Sequence, residues 1–395
     1  PGGAMSRPAV AHVMECYLGA TETFIHDYLA AFRRVRPVIV ARRVESLDLF
    51  PVPEGASLHR SPPARGTPAW AAAAVRRSLS GGEPHMESIF AREEVRAVHA
   101  HFGPVACGLL ELRRRTRLPL IVSFYGYDAS MRSVLREFAD RYRRLFDLGD
   151  LFLAEGPAMA RRLESLGCPS SRIRIQRIAV DPSRYAARER PDPGSGPVRV
   201  LMCGRMVPKK GHAAALRALA EARRRDPRLE LRLVGDGPER PALEKLCRSL
   251  GVEGSVAMLG ASPRAVFLRE LDAAHLYLQP SRTAPDGDSE GGAPTALLEA
   301  QACGLPVVAT RHADIPYAVR EGDSALLADE EDEAGLAEAL VTLAGSPSWW
   351  GPMGRSGRAH VEQRHDVRAL STQLEVLYAT VAETGAPGAG RWDAS

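Results

Sequence analysis

The segment EGGAPTALLEAQACGLPVVAT, residues 290–310, reads as loop, helix, turn and strand in succession. Glu290-Gly291-Gly292-Ala293 is loop material. Pro294 suits a first helical position, where the N–H it lacks would be unpaired anyway, and Gly304 suits the residue just past a helix end. Leu305–Ala309 is a short apolar, β-branched run, as in a strand buried on both faces. A helix feeding directly into such a strand is one step of a βα alternation, and that alternation points to a parallel sheet.

The alternation extends outward from this segment. Val198–Cys203, Leu229–Val234, Val256–Leu259 and Leu276–Gln279 precede it as strands of one series. An earlier series runs through Ala9–Glu15, Pro37–Ala41, Ala97–Phe102, Leu118–Phe124, Leu151–Ala154 and Ile173–Ala179, with helical stretches such as Thr21–Arg34 and Ser133–Leu145 between. The polar, Pro- and Gly-rich stretch ARERPDPGSGP (187–197) separates the two and reads as a linker. The expected organisation is an α/β chain with two Rossmann-like, doubly wound domains facing across a cleft. Their expected bounds are 5–187 and 198–365, with the linker at 188–197. A final amphipathic helix at 366–384 is expected to pack back toward the N-terminal domain. In open α/β sheets ligands bind beyond the carboxyl ends of the strands, so the loops after strands are where chemistry is expected.

Composition narrows the classes. The 395 residues are 45% apolar and 25% charged, which excludes a disordered tail, a collagen-like fibre and a small disulfide-stapled module. The net charge of +4 makes no case for a nucleic-acid binder. Charge is uneven, however: residues 1–190 are basic and the remainder is acidic. Three of the 52 basic residues are lysine, and two of these, Lys209 and Lys210, are adjacent. The six cysteines stand singly in mostly apolar runs, which reads as buried thiols in a reducing compartment. With no apolar run near the roughly 20 residues of a membrane span, a cytoplasmic protein is expected.

Three post-strand loops carry the candidate chemistry. Gly204-Arg205-Met206-Val207-Pro208-Lys209-Lys210-Gly211-His212 sets Arg205 and Lys210 beside a helix start, an arrangement that favours an anion; the plain alternative is a solvated turn. Gly235-Asp236-Gly237-Pro238 is a strand-to-helix turn. In the opening segment, Glu290 sits in the loop, Gly291 and Gly292 leave N–H groups open, and Glu299 interrupts an apolar helical face. A carboxylate buried there needs a partner. No Gly-x-Gly-x-x-Gly fingerprint is present, which counts against a nicotinamide cofactor.

In this order, the GR…KKG loop, LVGDGP, VAMLG, LQPS and EGGAPTALLEAQACGLPVVAT resemble the nucleotide-sugar domain of family 4 retaining glycosyltransferases, which have the two-domain GT-B fold. The resemblance implies transfer of a hexosyl group from a UDP- or GDP-sugar to a hydroxyl on a glycan, a lipid-linked sugar or a natural product. It implies Arg205 and Lys210 on the donor diphosphate, Glu299 on the ribose and Glu290 on the sugar. Gly204, Leu259, Gly260, Gly291, Gly292, Ala293, Pro294 and Thr295 would line the donor. No cofactor or metal is implied, and Asp286-Gly287-Asp288 matches a metal motif in letters alone. One departure stands out: eight residues separate Glu290 from Glu299 where the family usually has seven. Either the two glycines absorb the extra residue or the sugar contact moves, with Asp288 in reserve.

In the first half, Thr21-Glu22-Thr23-Phe24-Ile25 resembles the SETFI segment of the exopolysaccharide, colanic-acid-type branch, placed there near the phosphate and acceptor. His99-Ala100-His101 sets two histidines on one side of a strand with no third ligand type nearby in sequence, so no metal is expected; the resemblance puts His101 at the cleft floor. Many relatives have His-Gly-x-Asp where this chain has Tyr125-Gly126-Tyr127-Asp128. A phenol, with a pKa near about 10, positions a sugar rather than moving its proton. Arg132, Arg136, Arg141, Arg143 and Arg144 form either a solvated helix face or a patch for anionic lipid at the inner membrane face. A phosphorylase or hydrolase on the same fold, and a non-catalytic nucleotide-sugar binder, are the competing readings.

Overall fold

The computed structural model describes residues 7–19, 22–63, 66–67, 71–72 and 83–384. The chain divides into two compact units. One takes in the residues up to Ala129, Ser133–Ala179 and the chain from Val367 onward; the other takes in Val180–Asp366 with Ser130–Arg132.

The first unit is built on seven parallel strands: β1 (Ala9–Tyr17), β2 (Arg36–Val44), β3 (Ser57–Arg60), β4 (Val95–His101), β5 (Leu120–Ser123), β6 (Leu151–Ala154) and β7 (Ile173–Ile175), in the order β3-β2-β1-β4-β5-β6-β7. The second has six: β8 (Val198–Cys203), β9 (Leu229–Val234), β10 (Val256–Met258), β11 (Leu276–Gln279), β12 (Val307–Thr310) and β13 (Ala325–Ala328), in the order β10-β9-β8-β11-β12-β13. Each order reverses once, between β1 and β4 and between β8 and β11. Those reversals open a crevice at the strands' carboxyl ends.

Strands β5, β6, β11 and β12 are buried along their whole length, as helices on both faces require. Ile121, Val122, Leu151 and Phe152 centre one core; Val200, Leu231, Leu278 and Leu340 centre the other. The expected bounds of β6, β8, β9 and β11 match the observed ones. β12 starts two residues later than expected, after Pro306, which has no N–H to give a ladder. β3 and β13 were not expected; both are short edge strands with half-exposed residues and so a weak apolar signal. Pro294 stands just ahead of the helix Thr295–Ala302, not in its first position.

The helix Val367–Thr384 is part of the first unit. Its Glu375 Oε1 accepts the backbone N–H groups of Arg33, Arg34 and Val35 at 2.7, 2.6 and 3.0 Å, closing the end of the helix Thr23–Ala31. Its Leu370 carbonyl accepts the Gln176 amide at 3.2 Å. The helix Arg132–Leu148 buries Tyr142, Leu145 and Phe146 and leaves Arg136, Arg141, Arg143 and Arg144 exposed. Among the described residues, no helix is long and apolar enough to cross a membrane.

Candidate active site

In the second unit, glycines press the loops after β8, β9 and β11 together. Gly211 has φ +73°, and a Cβ on it would lie 1.8 Å from the Pro280 carbonyl oxygen beyond β11. Gly235 has φ +136°, and its Cβ would lie 2.0 Å from the Gly204 carbonyl oxygen. Only residues without a side chain permit either approach. Gly204 in turn leaves room for the Lys210 stem, whose Cδ lies 3.3 Å from where a Cβ would stand.

This packing delivers Lys210 to Glu290 across the β8–β11 reversal. The ammonium lies 2.8 Å from Glu290 Oε1 and 3.0 Å from Oε2. The Ser281 hydroxyl donates to Oε1 at 2.9 Å. Burial alone would raise the Glu290 pKa; Lys210 and Lys209 outweigh it and hold the carboxyl below the ordinary range. Lys209 takes the other acid, with Nζ 3.1 Å from Asp288 Oδ1 and 3.1 Å from the Ser289 carbonyl. Of the two candidate acids, then, Glu290 is the one on Lys210.

A second pair fixes the backbone of Glu290. Its N–H donates to His312 Nε2 at 3.1 Å, so the imidazole proton sits on Nδ1, which donates to Glu330 Oε1 at 2.6 Å. Glu330 Oε2 also accepts the Thr283 N–H at 2.8 Å. One carboxylate thus holds both ends of the long β11 loop.

Glu299 is buried, as its apolar surroundings suggested, and its partners are the Tyr185 hydroxyl at 2.7 Å and the Arg264 guanidinium at 2.9 Å, both on Oε1. Arg205 is exposed, and its guanidinium makes no ion pair among the described residues. Gly291, Gly292 and Pro294 are buried, and Ala293 and Thr295 half-buried. Among the described residues, no hydrogen bond occupies the N–H groups of Gly291, Gly292 or Ala293. Leu259 and Gly260 form the turn after β10; Gly260 lends its carbonyl to the Gly235 N–H at 2.9 Å.

In the first unit, His101 Nδ1 and the Tyr125 hydroxyl are 2.8 Å apart. Burial lowers the His101 pKa to about 3, so the ring is neutral, and raises that of Tyr125 well above its ordinary value. Asp128 is fully enclosed. Both its oxygens accept backbone N–H groups, from Tyr125 and Gly126 at 3.0 Å each and from Gly103 at 3.0 Å. Its carboxylate braces the β5 loop and offers no free oxygen to a ligand. Glu22 Oε2 accepts the Gly19 N–H at 2.7 Å. Thr21 lies outside the described residues.

These geometries meet a family pattern. Residues 22–184 match the model "Glycosyltransferase Family 4", and residues 197–346 match "Glycosyl transferases group 1". A putative colanic acid biosynthesis glycosyltransferase of Salmonella typhimurium is 34% identical over 285 residues, 71% of this chain and 70% of the relative. The chain belongs to glycosyltransferase family 4. An amylovoran biosynthesis glycosyltransferase of Erwinia amylovora is 32% identical, over 70% of this chain and 68% of its own length. Among solved structures, Anabaena HepE in complex with UDP aligns with a TM-score of 0.75 at 18% identity, covering 94% of this chain and all of that one. Sucrose-phosphate synthase of Thermosynechococcus elongatus aligns at 0.76 and 17%, covering 95% and 99%. The fold is therefore that of the GT-B glycosyltransferases, and the chain is an enzyme of that class.

Ser281, His312, Glu330, Tyr185 and Arg264 were not singled out from the sequence as partners. Ser281 stood in the quoted LQPS motif, a signal that was available. Glu330 was one acid in the run Asp329–Asp332, and nothing local marks it apart.

Proposed function

We propose that this family 4 enzyme transfers a hexosyl group, with retention, from a nucleotide sugar to a hydroxyl of a glycan or lipid-linked acceptor. The observation that carries the assignment is the Lys210–Glu290 pair, set at the β8–β11 reversal beside the uncommitted N–H groups of Gly291–Ala293. In this reading the donor diphosphate takes Lys210 and Arg205, the ribose takes Glu299 and the released Glu290 takes the sugar. The acceptor hydroxyl bonds to the anomeric carbon as the carbon–oxygen bond to phosphate breaks on the same face. The hydroxyl proton passes to the departing diphosphate. Fixed cations and loop N–H groups stabilise that developing charge, so the transfer step needs no metal there. Tyr125, with Glu22 and Thr21, is assigned to the acceptor side, and His101 orients the Tyr125 hydroxyl from below.

Relatives bear on the substrates. An enzyme of Mycolicibacterium smegmatis, 33% identical over 66% of this chain, is a GDP-mannose-dependent phosphatidylinositol monomannoside mannosyltransferase. Two others are named for colanic acid and amylovoran biosynthesis. A lipid-linked exopolysaccharide intermediate is the acceptor class these favour, with the exposed arginines of 132–148 touching anionic lipid. Thermal-shift screening of UDP- and GDP-sugars, followed by turnover with and without a lipid-linked acceptor, tests the assignment. Acceptor-dependent release of nucleoside diphosphate supports it. Donor hydrolysis that ignores acceptor, or tight donor binding with no turnover, overturns it.

A further inference from the structure

The first unit holds a cluster of buried histidines at the reversal of its own sheet. β1 and β4 pair in parallel with His12 opposite His99. His99 and His101 are two residues apart on β4 and so lie on the same side of the sheet. The three rings converge, each with a ring nitrogen within 4.8 Å of those of the other two, and all three residues are buried. His12 Nδ1 and His101 Nε2 are 3.1 Å apart. Two nitrogens on one tetrahedral zinc ion, each about 2.0–2.1 Å from the metal, are about 3.3 Å apart.

Two of the three rings have the outer contacts that ligation favours. A metal-bound imidazole gives its other nitrogen to an oxygen partner, which fixes the ring and its tautomer. His101 keeps Nδ1 on the Tyr125 hydroxyl at 2.8 Å, leaving Nε2 toward His12. His99 keeps Nδ1 on the Tyr378 hydroxyl at 2.6 Å, with Nε2 2.8 Å from the Ser123 hydroxyl, a partner that can rotate away. His12 Nε2 is buried and has no hydrogen-bond partner. A cavity of about 20 Å³ is lined by all three histidines, Ser123 and Tyr125. That is room for one water, since about 10–15 Å³ suffices. It would fill the fourth ligand position of a three-histidine site.

We propose that His12, His99 and His101 bind one divalent transition-metal ion of the zinc type, with a water as fourth ligand. The ion would tie β1 to β4 and, through Tyr378, to the last helix. It is separate from the donor-diphosphate chemistry above, and its test does not depend on that reading because it reads metal rather than turnover.

The experiment uses the full chain without a polyhistidine tag. Its metal content is measured as purified; the chelated protein is then titrated with Co²⁺ and followed by visible absorption. Expected are one ion per chain, tetrahedral d–d bands saturating at one equivalent, and no sulfur-to-metal charge-transfer band, which sets imidazole apart from the six free cysteines. His12→Gln should lose the bound ion. X-ray absorption of the zinc-loaded wild type gives an answer even if that variant does not fold; it should report a nitrogen and oxygen shell with imidazole scattering and no sulfur. A folded wild type that takes up neither ion, a sulfur shell, or full binding retained by folded His12→Gln each overturns the proposal.

Discussion

Replacing Lys210 with methionine keeps the stem over Gly204 and deletes the ammonium that lies 2.8 Å from Glu290 Oε1. The Glu290 side chain is only 9% exposed, so its charge stays in a poorly solvated place. Removing one partner of a buried pair costs about 3–5 kcal/mol. Lys209 and the Ser281 hydroxyl remain to compensate part of that, so about 2–3 kcal/mol is expected. Glu290→Gln in the same chain removes the stranded charge, and the double variant should recover most of the loss. The assay is urea unfolding of the full chain by fluorescence, to which Trp349 and Trp350 of the second unit contribute. pH supplies a further check. Glu290 is held below the ordinary carboxylate range in the wild type, so its contribution is present above the unfolded value and is lost as pH falls through the folded one. The gap between wild type and Lys210→Met is therefore widest near neutrality and closes on acidification. Transfer by Lys210→Met should fall by about 100- to 1000-fold, as when a charge-stabilising donor is lost. A wild-type unfolding midpoint, or a double variant less stable than the single, would refute the reasoning.

Three further outcomes are expected. Glu330→Gln leaves the His312 proton free to move to Nε2, which then cannot accept the Glu290 N–H; kcat should drop while the protein stays folded, and the effect should vanish in a Glu290→Ala background if it acts through that residue. Glu375→Ala strands three backbone N–H groups and should cost about 3 kcal/mol, read as faster hydrogen exchange over residues 23–35 in the first unit. Asp128 is raised by burial to about 6, so its share of stability is full below the unfolded value, about 3.9, and is lost as pH rises through the folded one. Asp128→Asn, with one acceptor for three N–H groups, should therefore cost more near pH 4.5 than near pH 7.5, by about 1–3 kcal/mol at its largest; equal costs in unfolding curves at the two pH values would count against it.

What the sequence made legible follows from burial. Strands apolar on both faces, such as β6, β8 and β11, announced their own ends, whereas the edge strands β3 and β13 are half wet and carried no such pattern. Glu299 could be read as a buried carboxylate because leucines and alanines surround it locally, but its partners lie 114 and 35 positions away and are set by packing. The histidines show the same limit. His99 and His101 looked like a lone pair because His12 is far off along the chain; the parallel pairing of β1 with β4 brings that third histidine beside them. Lys210 was found through its loop, but its pairing with Glu290 depends on Gly211 lying under the Pro280 carbonyl, a contact between loops that no local spacing encodes.

The last helix has a consequence for how the protein is made. The first unit is interrupted: it begins the chain, yields to the second unit at Val180 and resumes at Val367. Its final pieces are Glu375, which closes the end of the first helix, and Tyr378, which holds His99. During synthesis the second unit has all its residues before the first does. The early part of the first unit must wait, with His99 Nδ1 and three backbone N–H groups lacking these partners, until residues 367–384 clear the ribosome. A fragment ending at Ala179 would keep that unfinished state permanently, so the two units cannot be separated by cutting the chain once.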